Sequence, residues 1–152
     1  MVTALTNLHP DARRRTIYSL NYQLEQIIPV CTPMRIDRVS ERQAVITDLN
    51  SNVRYEYVFD RHMRENVQQH LDLYFGAQCP QSFIQNLSPI DQQGIREGVV
   101  YPGMTKQGVV IAIGYPPSHE TPTLEQDVWK YWRNRWSTFQ VTFAGGVVTG
   151  VQ

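Results

Sequence analysis

Two observations predict an α+β fold in two modules. Between residues 16 and 59 apolar side chains recur with a period of two, the mark of β-strands. Residues 60–76 and 88–113 instead carry helical spacing and caps, and strand patterns return from 128 to 151. The chain therefore divides into a flexible N-terminus at 1–15, a β-rich module with a following helix at 16–76, a linker at 77–87 and a second unit at 88–152. Its 152 residues suffice to bury a core unaided.

In the first module Tyr18, Leu20 and Tyr22 share one strand face, and Val53, Tyr55, Tyr57 and Phe59 share another. Strands at Met34–Val39 and Gln43–Leu49 lie between them, joined by the polar turn Ser40-Glu41-Arg42, with Asn50-Ser51-Asn52 as the next turn. Four or five antiparallel strands this short and closely spaced are expected to curl into a small SH3-like barrel. Asp60 is placed to cap a helix whose Met63, Val67, Leu71 and Tyr74 lie on the sheet, with Gly76 to end it. Ala77 to Leu87 has no period and reads as the linker.

The second unit opens with Ser88-Pro89-Ile90-Asp91, which supplies an N-cap, a proline at the first helical position and an acid near the cap; Gly98 stops that helix. Thr105 caps another running to about Ile113, with Val109, Val110 and Ile113 toward a core and Gly114 as its stop before Tyr115-Pro116-Pro117. Gly108 inside it is worth about 1 kcal/mol less than alanine, so that helix needs a packing partner. Strand patterns follow at Val128–Trp132, Ser137–Phe143 and Val147–Val151, and Gly145-Gly146 forms a two-residue turn that pairs Phe143 with Val148. The expected order is two helices followed by a three-stranded antiparallel sheet.

Composition narrows the function. Fourteen basic and fourteen acidic residues cancel, and the balance holds in each half of the chain, so neither half offers the excess positive charge that a nucleic-acid backbone attracts. No apolar run approaches the roughly 20 residues of a membrane span, and the N-terminus lacks the apolar segment of a signal peptide. Arg13-Arg14-Arg15 is followed by alternating polar and apolar residues, which rules out an export signal; a basic arm there would meet an anionic lipid surface, or simply be a solvated chain end. Cys31 and Cys79 allow either one disulfide or two reduced thiols, and the absence of a CxxC spacing argues against redox catalysis and zinc ribbons.

The candidate chemistry is sparse. Histidines 9, 62, 70 and 119 are scattered, and His62 and His70 lie eight residues apart, too far for a helical metal pair, so they are expected to be ordinary surface histidines and no metal and no cofactor is expected. There is no Gly-x-Ser-x-Gly elbow and no phosphate-cradling glycine loop. His119-Glu120 has the composition of an acid–base pair, although adjacent polar residues in a loop are usually just solvated. The densest feature is Trp129-Lys130-Tyr131-Trp132-Arg133-Asn134-Arg135-Trp136. Trp, Tyr and Arg dominate interface hot spots, and a period of two sends Trp129 and Tyr131 to one face and Lys130 and Trp132 to the other.

Several punctuating residues also agree in order and spacing with a known pattern. Gly103-Met104-Thr105-Lys106, Ile113-Gly114-Tyr115-Pro116-Pro117, Asp127-Val128-Trp129-Lys130-Tyr131-Trp132 and Phe139-Gln140-Val141-Thr142-Phe143, followed by the glycine turn, resemble the small outer-membrane lipoprotein family (SmpA/OmlA, or BamE-like). The resemblance covers about residues 88–152, and Gly108 departs from the polar or charged helix former more usual in that family. It implies a domain similar to the β-lactamase inhibitor proteins, a periplasmic or outer-membrane location, no catalytic activity, and an accessory role that binds an envelope protein partner, notably in outer-membrane assembly.

On this reading Tyr115, Trp132, Arg133, Arg135 and Trp136 form the partner surface, whereas Thr105, Gly114, Trp129, Tyr131, Phe139, Val141 and Phe143 serve the fold. A small-ligand or lipid-binding module is the alternative, and requires an apolar pocket between the two halves. A hydrolase or transferase requires two titratable groups converging in a cleft, which no spacing forecasts.

Overall fold

A computed structural model describes all residues from Met1 to Gln152. It holds a six-stranded mixed sheet, a three-stranded sheet and four short helices. The strands β1 (Val2–Ala4), β2 (Thr16–Tyr18), β3 (Pro33–Val39), β4 (Gln43–Asp48), β5 (Val53–Val58) and β6 (Phe75–Gly76) form the first sheet in the order β2-β5-β4-β3-β1-β6. Helix α1 (Val67–Tyr74) precedes β6; α2 (Gln81–Gln85), α3 (Pro89–Glu97) and α4 (Lys106–Ile113) follow it. The second sheet is β7 (Val128–Asn134), β8 (Ser137–Ala144) and β9 (Val147–Val151), paired in chain order.

The expected α+β class, an SH3-like antiparallel barrel followed by a β-lactamase-inhibitor-like domain, is corrected by this architecture. The first sheet is not purely antiparallel, because β2 runs parallel to β5, with Ile17 opposite Tyr57. A tight hairpin joins only antiparallel neighbours, and here residues 19–32 leave the sheet altogether before β3 begins. Two further strands lie at the opposite edge, where β1 pairs with both β3 and β6. Residues 1–15, expected to be flexible, therefore contribute a strand, and Leu8, Asn7 and His9 are buried.

Two other elements differ from expectation. Asp60 caps no helix: its carboxylate accepts from His62 N at 2.9 Å in a local turn. Helix α1 starts at Val67, because Asn66 and Gln69 exchange side-chain and backbone hydrogen bonds in a capping box. Gly76 belongs to β6, and the linker contains α2 together with Cys79, which is disulfide-bonded to Cys31 across a Cα–Cα distance of 4.9 Å.

Local signals in the second unit do specify their elements. Ser88 accepts from Asp91 N, Gly98 ends α3 with φ 70°, and Thr105 accepts from Gly108 N. Gly145 and Gly146 turn β8 into β9 with φ 60° and 80°, setting Phe143 opposite Val148. Trp129 and Tyr131 are fully buried, and Phe139, Val141 and Phe143 join them in one core with Met104 and Val109. A separate core of Ile17, Met34, Ile46, Tyr57, Leu71 and Tyr74 fills the first sheet.

Gly108 has a packing reason. A Cβ at that position would collide with the carboxylate of Asp91, which is fully buried and accepts from Thr105 N at 2.8 Å and Thr105 Oγ1 at 2.9 Å. The absent side chain lets α3 approach the start of α4 closely enough to satisfy that carboxylate.

Candidate functional site

The aromatic and basic stretch folds as the β7–β8 hairpin. Val128 pairs with Thr142, Trp129 with Val141 and Tyr131 with Phe139, which turns Trp129 and Tyr131 inward. A bulge between Trp132 and Asn134 leaves Arg133 without an opposite residue. Arg135 and Trp136 then make the turn, where Asn134 Oδ1 accepts from Trp136 N at 2.8 Å.

The side chains around this turn divide into two groups. Trp132 is half-buried: its Nε1 donates to Glu120 Oε2 at 2.7 Å, while Lys130 Nζ reaches Glu120 Oε1 at 3.2 Å and lies 5.5 Å from the Trp132 ring. This engagement also occupies the carboxylate of the His119-Glu120 pair; the His119 ring faces His62 instead, with centroids 5.9 Å apart. Trp136 is 83% exposed, with the Arg135 guanidinium 5.1 Å from its ring centre. Arg133 sits 4.6 Å above the Phe139 ring. Neither arginine has a carboxylate partner in any of the five ion pairs.

Tyr115 does not join that group. It packs edge-on against Tyr74 with ring centres 5.4 Å apart, and its backbone N donates to Tyr74 Oη at 2.9 Å. Burial pushes both phenols above their ordinary pKa. Tyr115 lines an open groove of about 920 Å³ together with Leu73, Phe83, Val110, Leu124 and Trp129. The five residues expected to form one surface thus occupy a clamp, a bulge, a turn and a separate groove.

Sequence reasoning missed a buried polar relay. Ser118 Oγ donates to Glu65 Oε1 at 2.5 Å, Glu65 Oε2 lies 2.9 Å from His70 Nδ1, and His70 Nε2 lies 2.6 Å from Tyr57 Oη. Burial alone would raise the Glu65 pKa, but hydrogen bonds from His70 and Ser118 outweigh it and hold the carboxyl at about 2. Desolvation keeps Tyr57 protonated, so its hydroxyl and the His70 ring share one hydrogen bond and the other ring nitrogen reaches Glu65. The adjoining cavity holds only about 10 Å³, room for one water and no substrate, so the relay fastens the loop after α4 to the start of α1. His70 and His9, expected to be ordinary surface histidines, are both buried, because each is covered by elements distant in the chain.

A second set of missed residues joins the two halves. Asn7 is 2% exposed and donates to Ile95 O at 2.7 Å and Ala112 O at 3.0 Å, while its Oδ1 accepts from Val30 N at 2.8 Å. Asn21 Nδ2 and Gln23 Nε2 both reach Ile113 O, at 2.7 and 2.9 Å, and Gln23 N donates to Trp132 O. No group of three or more His, Cys, Asp or Glu side chains is assembled as a metal site.

Set against family models, curated proteins and solved structures, the chain matches none. The arrangement therefore has to be read from its own chemistry: a fixed hairpin presenting one indole and two unpaired guanidinium groups.

Proposed function

We propose that the chain is a non-enzymatic accessory module that binds another protein of the bacterial cell envelope through the turn of the β7–β8 hairpin. The observation that carries this reading is Trp136, which is 83% exposed beside the Arg135 guanidinium, in a hairpin where neither Arg133 nor Arg135 is held in an ion pair. An exposed indole with adjacent guanidinium groups has the composition of an interface hot spot, and strand pairing below the turn holds it in place before binding. The Cys31–Cys79 disulfide supports an oxidising compartment such as the periplasm, in keeping with the resemblance to outer-membrane lipoproteins over 88–152.

A photo-crosslinking residue placed at Trp136 in the envelope of the source bacterium tests the proposal. One discrete adduct is expected there, and none from the same residue placed at exposed Arg38 on β3. Trp136→Ala with Arg135→Ala should abolish capture of that adduct's partner while leaving Tm within a few degrees. Equal labelling from both positions, or none from Trp136, overturns the reading.

The 920 Å³ groove favours a second reading, a small-ligand or lipid-binding module, because half-exposed Phe83 and Leu124 leave apolar surface open there. Flotation with anionic liposomes at low and high salt separates it from the first.

A further inference from the structure

A smaller cleft of about 370 Å³ lies at the seam, where Leu24 and Ile27 from the first half meet Val100, Ile113 and Phe139 from the second. Its volume is that of a small-molecule site, and its walls are mainly apolar. His9 contributes to the wall with Nε2 3.4 Å from Gly98 O and Nδ1 unpartnered; burial lowers its pKa, so the ring is neutral at pH 7. The charges that line the cleft are all on exposed residues: Arg133, Glu25 and Glu97.

These charges lack ionic partners within the chain, so the cation and the carboxylates share one cleft without neutralising each other. The bulge at residue 133 and the Phe139 ring fix the guanidinium against the apolar wall, 4.6 Å from the ring centre. Tyr101 Oη donates to Glu97 Oε1 at 2.5 Å, a hydrogen bond that favours the ionised carboxylate and restrains it.

We propose that this cleft binds a small zwitterion with an apolar body, an apolar α-amino acid or dipeptide, whose carboxylate meets Arg133 and whose ammonium meets Glu97 and Glu25. A fatty acid would satisfy the arginine but face two carboxylates. An apolar amine would satisfy the carboxylates but face the arginine. A molecule that carries both charges and an apolar side chain complements the arginine, the carboxylates and the apolar wall together. The site shares Arg133 with the hairpin but not Trp136, which does not line it, so Trp136→Ala tests the hairpin reading without touching the cleft.

The test is a two-dimensional NMR titration of the whole chain with leucine, phenylalanine and leucyl-leucine. Matched probes lack one charge (N-acetyl-leucine, leucine amide) or both (N-acetyl-leucine amide). Saturable shifts centred on Gly98, Val99 and Val100 are expected, with affinity falling about tenfold when either charge is removed, the scale of one charge-assisted hydrogen bond. Arg133→Gln should erase the preference for a free carboxylate and Glu97→Gln the preference for a free ammonium, whereas Trp136→Ala should change neither. All three positions are exposed, and unchanged Tm values establish that the variants fold. Absence of saturable binding by every zwitterion, equal affinity for N-acetyl-leucine amide, or shifts centred elsewhere overturns the proposal.

Discussion

The two ends of α4 are held in contrasting ways. At its N-terminus Thr105 Oγ1 accepts from Gly108 N at 3.1 Å, three residues along the chain. At its C-terminus the orphan carbonyls are satisfied from far away: Ile111 O by Asn7 N, Ala112 O by Asn7 Nδ2, Ile113 O by Asn21 and Gln23, and Gly114 O by Tyr131 Oη. Those side-chain donors lie between 17 and 105 residues from their acceptors. A helix start can be specified by a neighbouring hydroxyl. A helix end buried at a seam needs whatever donors the opposing half brings.

Removing the most connected of these donors should have the largest effect. Asn7→Ala strands Ile95 O, Ala112 O and Val30 N in a dry environment. At 1–3 kcal/mol per unsatisfied buried group, a loss of about 3–5 kcal/mol is expected in urea denaturation. Hydrogen exchange should accelerate at Gly114 and Tyr115 before it does at Val109. Uniform acceleration along α4 would show that its two ends are not separately held.

Gly108→Ala attacks the other end, through Asp91. Alanine is the better helix former, so propensity alone predicts about 1 kcal/mol of gain. The collision with the Asp91 carboxylate should reverse the sign and give a net loss of about 2–3 kcal/mol by thermal or urea unfolding. A stabilised variant would mean that α3 and α4 can separate freely. Thr105→Ala removes the cap and one of two hydrogen bonds to Asp91, and should cost about 1–2 kcal/mol.

The smallest effect is expected from the relay that fastens the loop after α4. Glu65 is held at about 2, below its ordinary 4.5, so its contribution to stability is complete above pH 4.5 and is lost as pH falls toward 2. Tm measured from pH 6 to pH 2 should fall more steeply for the native chain than for Glu65→Gln. Parallel curves would show that the Ser118 and His70 hydrogen bonds contribute nothing measurable.

Much of the candidate site was legible. Alternation along 128–132 separated the inward Trp129 and Tyr131 from the outward Lys130 and Trp132, and Arg135-Trp136 fell between two clear strand patterns. What alternation cannot express is a bulge, because the extra residue at Arg133 changes the register without changing residue type. It also cannot express that Glu120 would arrive beside Trp132 and engage it, or that Tyr115 would be drawn away to Tyr74.

The sequence by itself determined what acts over three or four residues: the caps at Ser88 and Thr105, the stop at Gly98, the Gly145-Gly146 turn and the inward faces of β7 and β8. Only the tertiary structure decided the parallel placement of β2 on β5, the ordering of residues 2–9, the joining of Cys31 to Cys79, and the need for glycine at 108. Each of these depends on which distant segment supplies a partner. A cap or turn finds its hydrogen bond within its own residues, whereas a buried carbonyl, an edge strand or a carboxylate at a helix crossing acquires its partner only when the chain closes on itself.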